Sequence, residues 1–160
     1  MYAFLALTSI PMTHLFVVHI PTAFVDLSEA VKLKNVFFTC YLDPWWIYKA
    51  LRTITHSHKD IQRISVDTRW SLHHRNIVLA KVASLEPAIG EAIFLRWLEL
   101  DLLLVQLWES HSVRPSVLYK VPSSRGRRWA RSCIETLLPE ITARGIVDFP
   151  EHSEIRGISG

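Results

Sequence analysis

The chain has 160 residues and a mass of 18.5 kDa, which is one domain's worth of sequence, long enough to bury about two-thirds of its unfolded surface. A hydrophobic share of 49 % against 21 % charged residues excludes intrinsic disorder. A net charge of +3 is too mild to argue nucleic-acid binding from the total, and two cysteines without a C-x-x-C partner exclude a disulfide framework or a zinc knuckle.

Residues 1–25 contain no Asp, Glu, Lys or Arg. That stretch has no basic n-region and no clear cleavage site, so it does not read as a signal peptide. Pro11, His14, His19 and Pro21 interrupt it, which argues against a membrane span. The alternation in Met12–Val18 predicts a strand with Leu15 and Val17 on one face and His14, Phe16 and Val18 on the other. Asp26 or Ser28 is expected to cap a short helix running to Lys32. A second strand, Asn35–Cys40, would bury Val36 and Phe38 and present Asn35, Phe37 and Thr39. Asp43-Pro44 is a helix start, followed by an apolar stripe of Trp46, Ile47, Ala50, Leu51 and Ile54 at helical spacing.

The third strand, Ile61–Asp67, turns Ile64 and Val66 inward and Arg63, Ser65 and Asp67 outward. Thr68–Arg75 reads as a polar connection, and the state of the apolar run Ile77–Val82 is left open. Leu95, Leu98 and Leu100 suggest a strand near Ile93–Leu98, with a helix from about Glu99 to His111. Pro115 introduces a fifth strand, Ser116–Val121. Ser123 or Ser124 would cap a helix bearing Ala130, Ile134, Leu137 and Ile141, kinked at Pro139. Gly145 is placed to end it, and Ile146–Phe149 reads as a terminal strand.

Three of these strands share one template, apolar-x-x-apolar-x-apolar: Met12/Leu15/Val17, Leu33/Val36/Phe38 and Ile61/Ile64/Val66. Their starts lie 21 and 28 residues apart, within the period of leucine-rich repeats. Such units cannot bury their own apolar face and must stack. The expected fold is therefore α/β: a leucine-rich-repeat-like solenoid of about five irregular repeats, with parallel strands and helices alongside. It would occupy residues 1–150, with 151–160 a polar tail. An uncapped first repeat would favour self-association.

Charge is unevenly spread. Residues 84–111 carry one base (Arg96) against five acids, and residues 112–150 carry seven bases against three acids. The sharpest local feature is the cluster Lys120, Arg125, Arg127, Arg128 and Arg131, with Trp129 among them. It could contact RNA or anionic lipid, but pairing with the acidic block is the simpler reading. On the solenoid, outward strand positions would bind a protein partner: Phe16, Val18 and Phe37 as an apolar group, with Arg63, Ser65 and Asp67 beside it. The histidines of His56-x-His58 and His73-His74 lack a Cys or a carboxylate motif and read as solvated surface, so no metal or cofactor is expected. There is no G-x-S-x-G and no phosphate-cradling glycine loop, so no enzymatic activity is expected.

Trp108–Pro115, Val117-Leu118-Tyr119, Leu137–Ile141 and Arg144–Asp148 together resemble the C-terminal end of fungal F-box-type proteins. The resemblance implies irregular leucine-rich-type repeats that recognise a ubiquitin-ligase substrate. The F-box itself is absent: Leu138-Pro139-Glu140-Ile141 echoes its core phrase, but only nineteen residues follow it. The function expected is non-enzymatic protein recognition in a reducing compartment, cytoplasmic or nuclear. The alternative is RNA binding through Lys120–Arg131.

Overall fold

A computed structural model describes residues 3–6, 14–17, 23–40, 43–68, 87–118 and 124–149. In chain order the elements are β1 (Ala3–Ala6), β2 (His14–Val17), β3 (Ala23–Asp26), β4 (Asn35–Thr39), α1 (Trp45–Leu51), β5 (Arg63–Asp67), α2 (Pro87–His111), β6 (Arg114–Leu118), α3 (Ser124–Leu137) and α4 (Pro139–Ala143). β4, β5 and β6 form the body of one open parallel sheet, with β2 pairing along the far side of β4, so that the order is β2-β4-β5-β6. β1 and β3 pair with each other, also in parallel, as a separate two-stranded sheet.

The strands lie in a common register. Leu15, Val36, Ile64 and Pro115 form one row across the sheet, and Val17, Phe38, Val66 and Val117 form another. Val36, Phe38, Ile64, Val66 and Val117 are buried, together with the template leaders Leu33 and Ile61. Period-two alternation turns the five strand residues to one face, where they and the two leaders meet Ile47, Ala50 and Leu51 of α1, Ile93, Trp97, Leu100, Leu104 and Leu107 of α2, and Ile134 of α3 in one core. Removing this much apolar surface from water is the main driving force for the fold.

The expected solenoid of about five repeats is not formed. Strand starts in the sheet step by 21, 28 and then 51 residues, so there is no constant period along which helices could stack. The predicted strand at Ile93–Leu98 lies inside the 25-residue α2. On a helix Leu95 and Leu100 fall on nearly opposite sides, and burial decides between the two readings. Trp97, Leu100, Leu104 and Leu107 are inside, whereas Leu95 and Leu102 are 52 % and 54 % exposed. The β1–β3 pair was not expected, and the predicted helix before Lys32 is instead a run of turns, held by Asp26 Oδ1 accepting the Ser28 N–H at 2.9 Å.

Two prolines act differently from expectation. Pro115 lies within β6 rather than before it. The Arg114 N–H donates to the Gln62 carbonyl on the β5 side, while the Pro115 carbonyl accepts from Asp148 N–H on the other. The missing proline N–H therefore faces the sheet's edge, where it costs no ladder bond to β5. Ile146–Phe149 contributes a single bridge there, Ser116 to Asp148. Pro139 does not kink a continuous helix. Leu138 leaves the helical region at φ −129° and Pro139 opens the separate α4, since proline suits a first turn and not an interior. Gly145, at φ +65°, ends α4 as expected, with Ile146 N–H bonded to the Ile141 carbonyl.

Two buried polar side chains tie distant segments together. His58, the second member of the pair read as solvated surface, is fully buried, whereas His56 is exposed. Its Nδ1 accepts the Thr55 N–H at 3.0 Å, which leaves Nε2–H to donate to the Leu27 carbonyl at 2.8 Å. The Leu27 N–H in turn donates to Thr53 Oγ1 at 2.7 Å. Both backbone groups of a buried residue after β3 are thus satisfied from the loop following α1. Asp101, in the middle of α2 and 1 % exposed, accepts the N–H groups of Glu140 and Ile141 at 2.6 and 3.0 Å. It caps α4 from 39 residues away in the chain.

His58→Ala strands the Leu27 carbonyl and the Thr55 amide, and urea unfolding is expected to record a loss of about 1–3 kcal/mol; an unchanged midpoint would refute the bracket. Burial raises the Asp101 pKa above the usual carboxylate range, and the nearby Glu140 charge adds to this against the lowering by the two amide bonds. A raised folded pKa means the protonated form favours folding. This contribution is present below the ordinary carboxylate pKa and lost as pH rises through the folded value. The stability of the native chain relative to Asp101→Asn should therefore fall as pH rises through that window, measured by chemical unfolding in a pH series. A difference that stays flat or grows contradicts the assignment.

Candidate functional site

The sheet face opposite the helices carries the outward strand positions. Register aligns them in rows: His14, Asn35, Arg63 and Arg114 at the strand starts, then Phe16, Phe37, Ser65 and Ser116, then Thr39, Asp67 and Leu118. Of the residues expected to bind a protein, Phe16 lies beside Phe37 in register, Phe37 is half-buried, and Arg63 is exposed. Val18 falls outside the described residues. Ser65 does not stand open to solvent: it is buried, a short side chain flanked in its row by Phe37 and Ser116, and Asp67 is half-buried. Thr39, Ser116 and Leu118 are buried as well, so the accessible part of this face contracts to the strand starts.

There the structure adds a residue that sequence reading passed over. Arg63 and Arg114 are direct register partners on adjacent strands, about 4.8 Å apart in backbone spacing. Like charges placed so repel each other. Asp148, on the bridge beyond β6, offsets one of them: its Oδ2 lies 3.5 Å from Arg114 Nη1, with the two side chains 39 % and 67 % exposed. Among the described residues no ion pair reaches Arg63. The strand starts therefore present a guanidinium pair with less than its complement of carboxylate, next to the half-buried Phe37. Arg114 was hidden because its strand was placed two residues too late.

Lys120 lies outside the described residues and Arg125 sits in the first turn of α3. Arg131 is committed on two sides, to Glu135 at 3.1 Å and over the Phe149 ring at 4.9 Å. Trp129 is half-buried, whereas Arg127 and Arg128 are exposed. The expected pairing with the acidic block runs elsewhere, through Arg144 to Glu109 at 2.8 Å.

A second constellation joins α1 to α2. Trp45 and Tyr48 stack at 5.0 Å with 9° between their planes. Lys49 Nζ and the Arg96 guanidinium each lie 5.4 Å from the Trp45 ring, and the Arg52 guanidinium 5.8 Å from the Tyr48 ring. Arg96 also pairs with Asp43, which accepts the Trp45 N–H and so opens the helix. The i, i+3 and i, i+4 spacings of Trp45, Tyr48, Lys49 and Arg52 were a readable signal; the arrival of Arg96 was not.

Ser110 Oγ lies 2.6 Å from His111 Nδ1, while His111 Nε2 meets the Thr55 carbonyl at 3.0 Å. A carbonyl in that position receives the Nε2 proton and fixes the tautomer; the contact joins the end of α2 to the loop after α1. Among the described residues no three His, Cys, Asp or Glu side chains gather to hold a metal ion. Cys40 and Cys133 are free thiols, and burial raises the Cys133 pKa. No helix among the described residues is long and apolar enough to cross a membrane.

No protein-family model matches the chain, and searches of curated proteins and of solved structures likewise find no match.

If Arg63 and Arg114 repel across the strands, Arg63→Glu should replace repulsion by attraction and raise stability by about 0.2–1 kcal/mol. The gain should shrink at high salt. A loss of stability in thermal melts at low salt would show that the pair is already compensated.

Proposed function

We propose that this protein is a non-enzymatic protein-recognition module that binds an acidic segment of its partner across the strand starts of β5 and β6. The observation that carries the reading is the in-register pairing of Arg63 with Arg114, both of them exposed. Keeping two like charges adjacent costs stability that a folded chain has little reason to spend unless a partner supplies the counter-charge. Two guanidiniums at strand spacing suit paired or bidentate carboxylates. Phe37, diagonal to Arg63 in the register, offers an aromatic contact for a neighbouring apolar residue.

RNA binding through α3 is the second reading, favoured by the exposure of Arg127 and Arg128. It is weaker because Arg131 is held by Glu135 and Phe149.

Affinity purification with mass spectrometry separates the two when run with Phe37→Glu, Arg63→Glu/Arg114→Glu and Arg127→Glu/Arg128→Glu variants that all retain cooperative melting. Proteins retained by the native chain and by the α3 variant, but lost from both sheet variants, are the expected outcome. Retention unchanged by the sheet variants overturns the proposal, as does loss confined to the α3 variant together with co-purified RNA.

A further inference from the structure

The sheet-face reading leaves the α1–α2 constellation unused, and its parts are unusual together. Trp45 and Tyr48 are half-exposed with parallel rings, and each carries a cation over it: Lys49 and Arg96 over Trp45, Arg52 over Tyr48. Arg96 is neutralised by Asp43 at one end. At the other end Lys49 and Arg52 are exposed, and no carboxylate pairs with either among the described residues. Arg52 is also within 3.5 Å of the Tyr48 hydroxyl. These long side chains are thus held over flat rings rather than sweeping solvent, so less rotamer entropy remains to be lost when an anion arrives.

We infer that the Trp45–Tyr48 stack with Lys49, Arg52 and Arg96 is a contact site for single-stranded nucleic acid. A single strand presents flat bases and phosphates together, and the constellation presents two stacked, half-exposed rings flanked by cations from one helix and its neighbour. Bases stack on aromatic rings and on guanidinium planes, while phosphates take the remaining donors. An acidic polypeptide would satisfy the cations and leave the half-exposed Trp45–Tyr48 stack with nothing flat to extend it, which is why a nucleic acid is the better occupant. The site lies on α1 and α2, apart from the strand starts of β5 and β6, so either can fail without the other.

The test is fluorescence anisotropy of the whole chain with labelled twelve-nucleotide oligo(U), oligo(dT) and an abasic oligomer of the same charge, with poly-glutamate as competitor. Oligo(U) and oligo(dT) separate RNA from DNA as the source of the same chemistry. Binding is expected to weaken steeply between about 50 and 200 mM salt. Lys49→Glu/Arg52→Glu should lower affinity at least about tenfold, and its melting temperature should hold because both side chains are exposed. Tyr48→Leu, which keeps apolar bulk, should weaken binding roughly 5- to 100-fold through lost stacking, with a flatter difference between normal and abasic strands. Arg63→Glu/Arg114→Glu should leave oligonucleotide binding unchanged. Full affinity in the Lys49/Arg52 variant overturns the inference. So does equal binding of the abasic strand with efficient competition by poly-glutamate, which would mark a surface for acidic proteins instead. No binding of any oligonucleotide by the native chain overturns it too.

Discussion

The common register of the parallel strands is the constraint on which the rest of the molecule depends. Because side chains alternate with period two, aligning Val36 with Ile64 and Phe38 with Val66 sends these four to one face and Arg63, Ser65 and Asp67, together with Phe37, to the other. A slip of one residue would bury Arg63 and expose Ile64. The helices then have one greasy surface to cover, and the rows of the opposite face follow from the same alignment. The apolar register also brings Arg63 beside Arg114, which is how strands distant in the chain come to share a charged edge.

Parallel strands need long crossovers, and the crossovers here are secured by polar side chains acting at a distance. His58 and Thr53 hold Leu27 from the far side of α1, and Asp101 holds the first amides of α4 from the middle of α2. Each satisfies backbone groups that burial would otherwise leave without water. These contacts compensate for what a regular repeat would have provided, since strand spacings of 21, 28 and 51 residues leave no repeating unit to stack. The Asp101 carboxylate does so in a site whose burial disfavours its charge, so specificity of docking is obtained at some cost in stability.

The two basic surfaces differ in how they are built. At the strand starts, charge is concentrated by pairing of strands whose sequences say nothing of each other. On α1 it is concentrated by local helical spacing, with only Arg96 brought from elsewhere. On α1 the cations lie over aromatic rings, a combination in which the ring orders the side chain while leaving its charge available.

Local chemistry determined a good deal without reference to the fold. Alternation marked the strands β2, β4 and β5, with the inward residues of β4 and β5, Asp43-Pro44 marked the start of α1, and Gly145 marked the end of α4, because period, proline geometry and a positive φ are properties of a few neighbouring residues. Tertiary structure alone decided the rest. Leu95, Leu98 and Leu100 fit a strand template, and only a core that takes in Trp97, Leu100 and Leu104 and leaves Leu95 outside selects the helix. His58 reads as surface beside His56 until the Leu27 carbonyl is brought to it. Ser65 is buried because of who stands beside it in the sheet, and Arg63 meets Arg114 because burial, acting over the whole chain, aligned their strands.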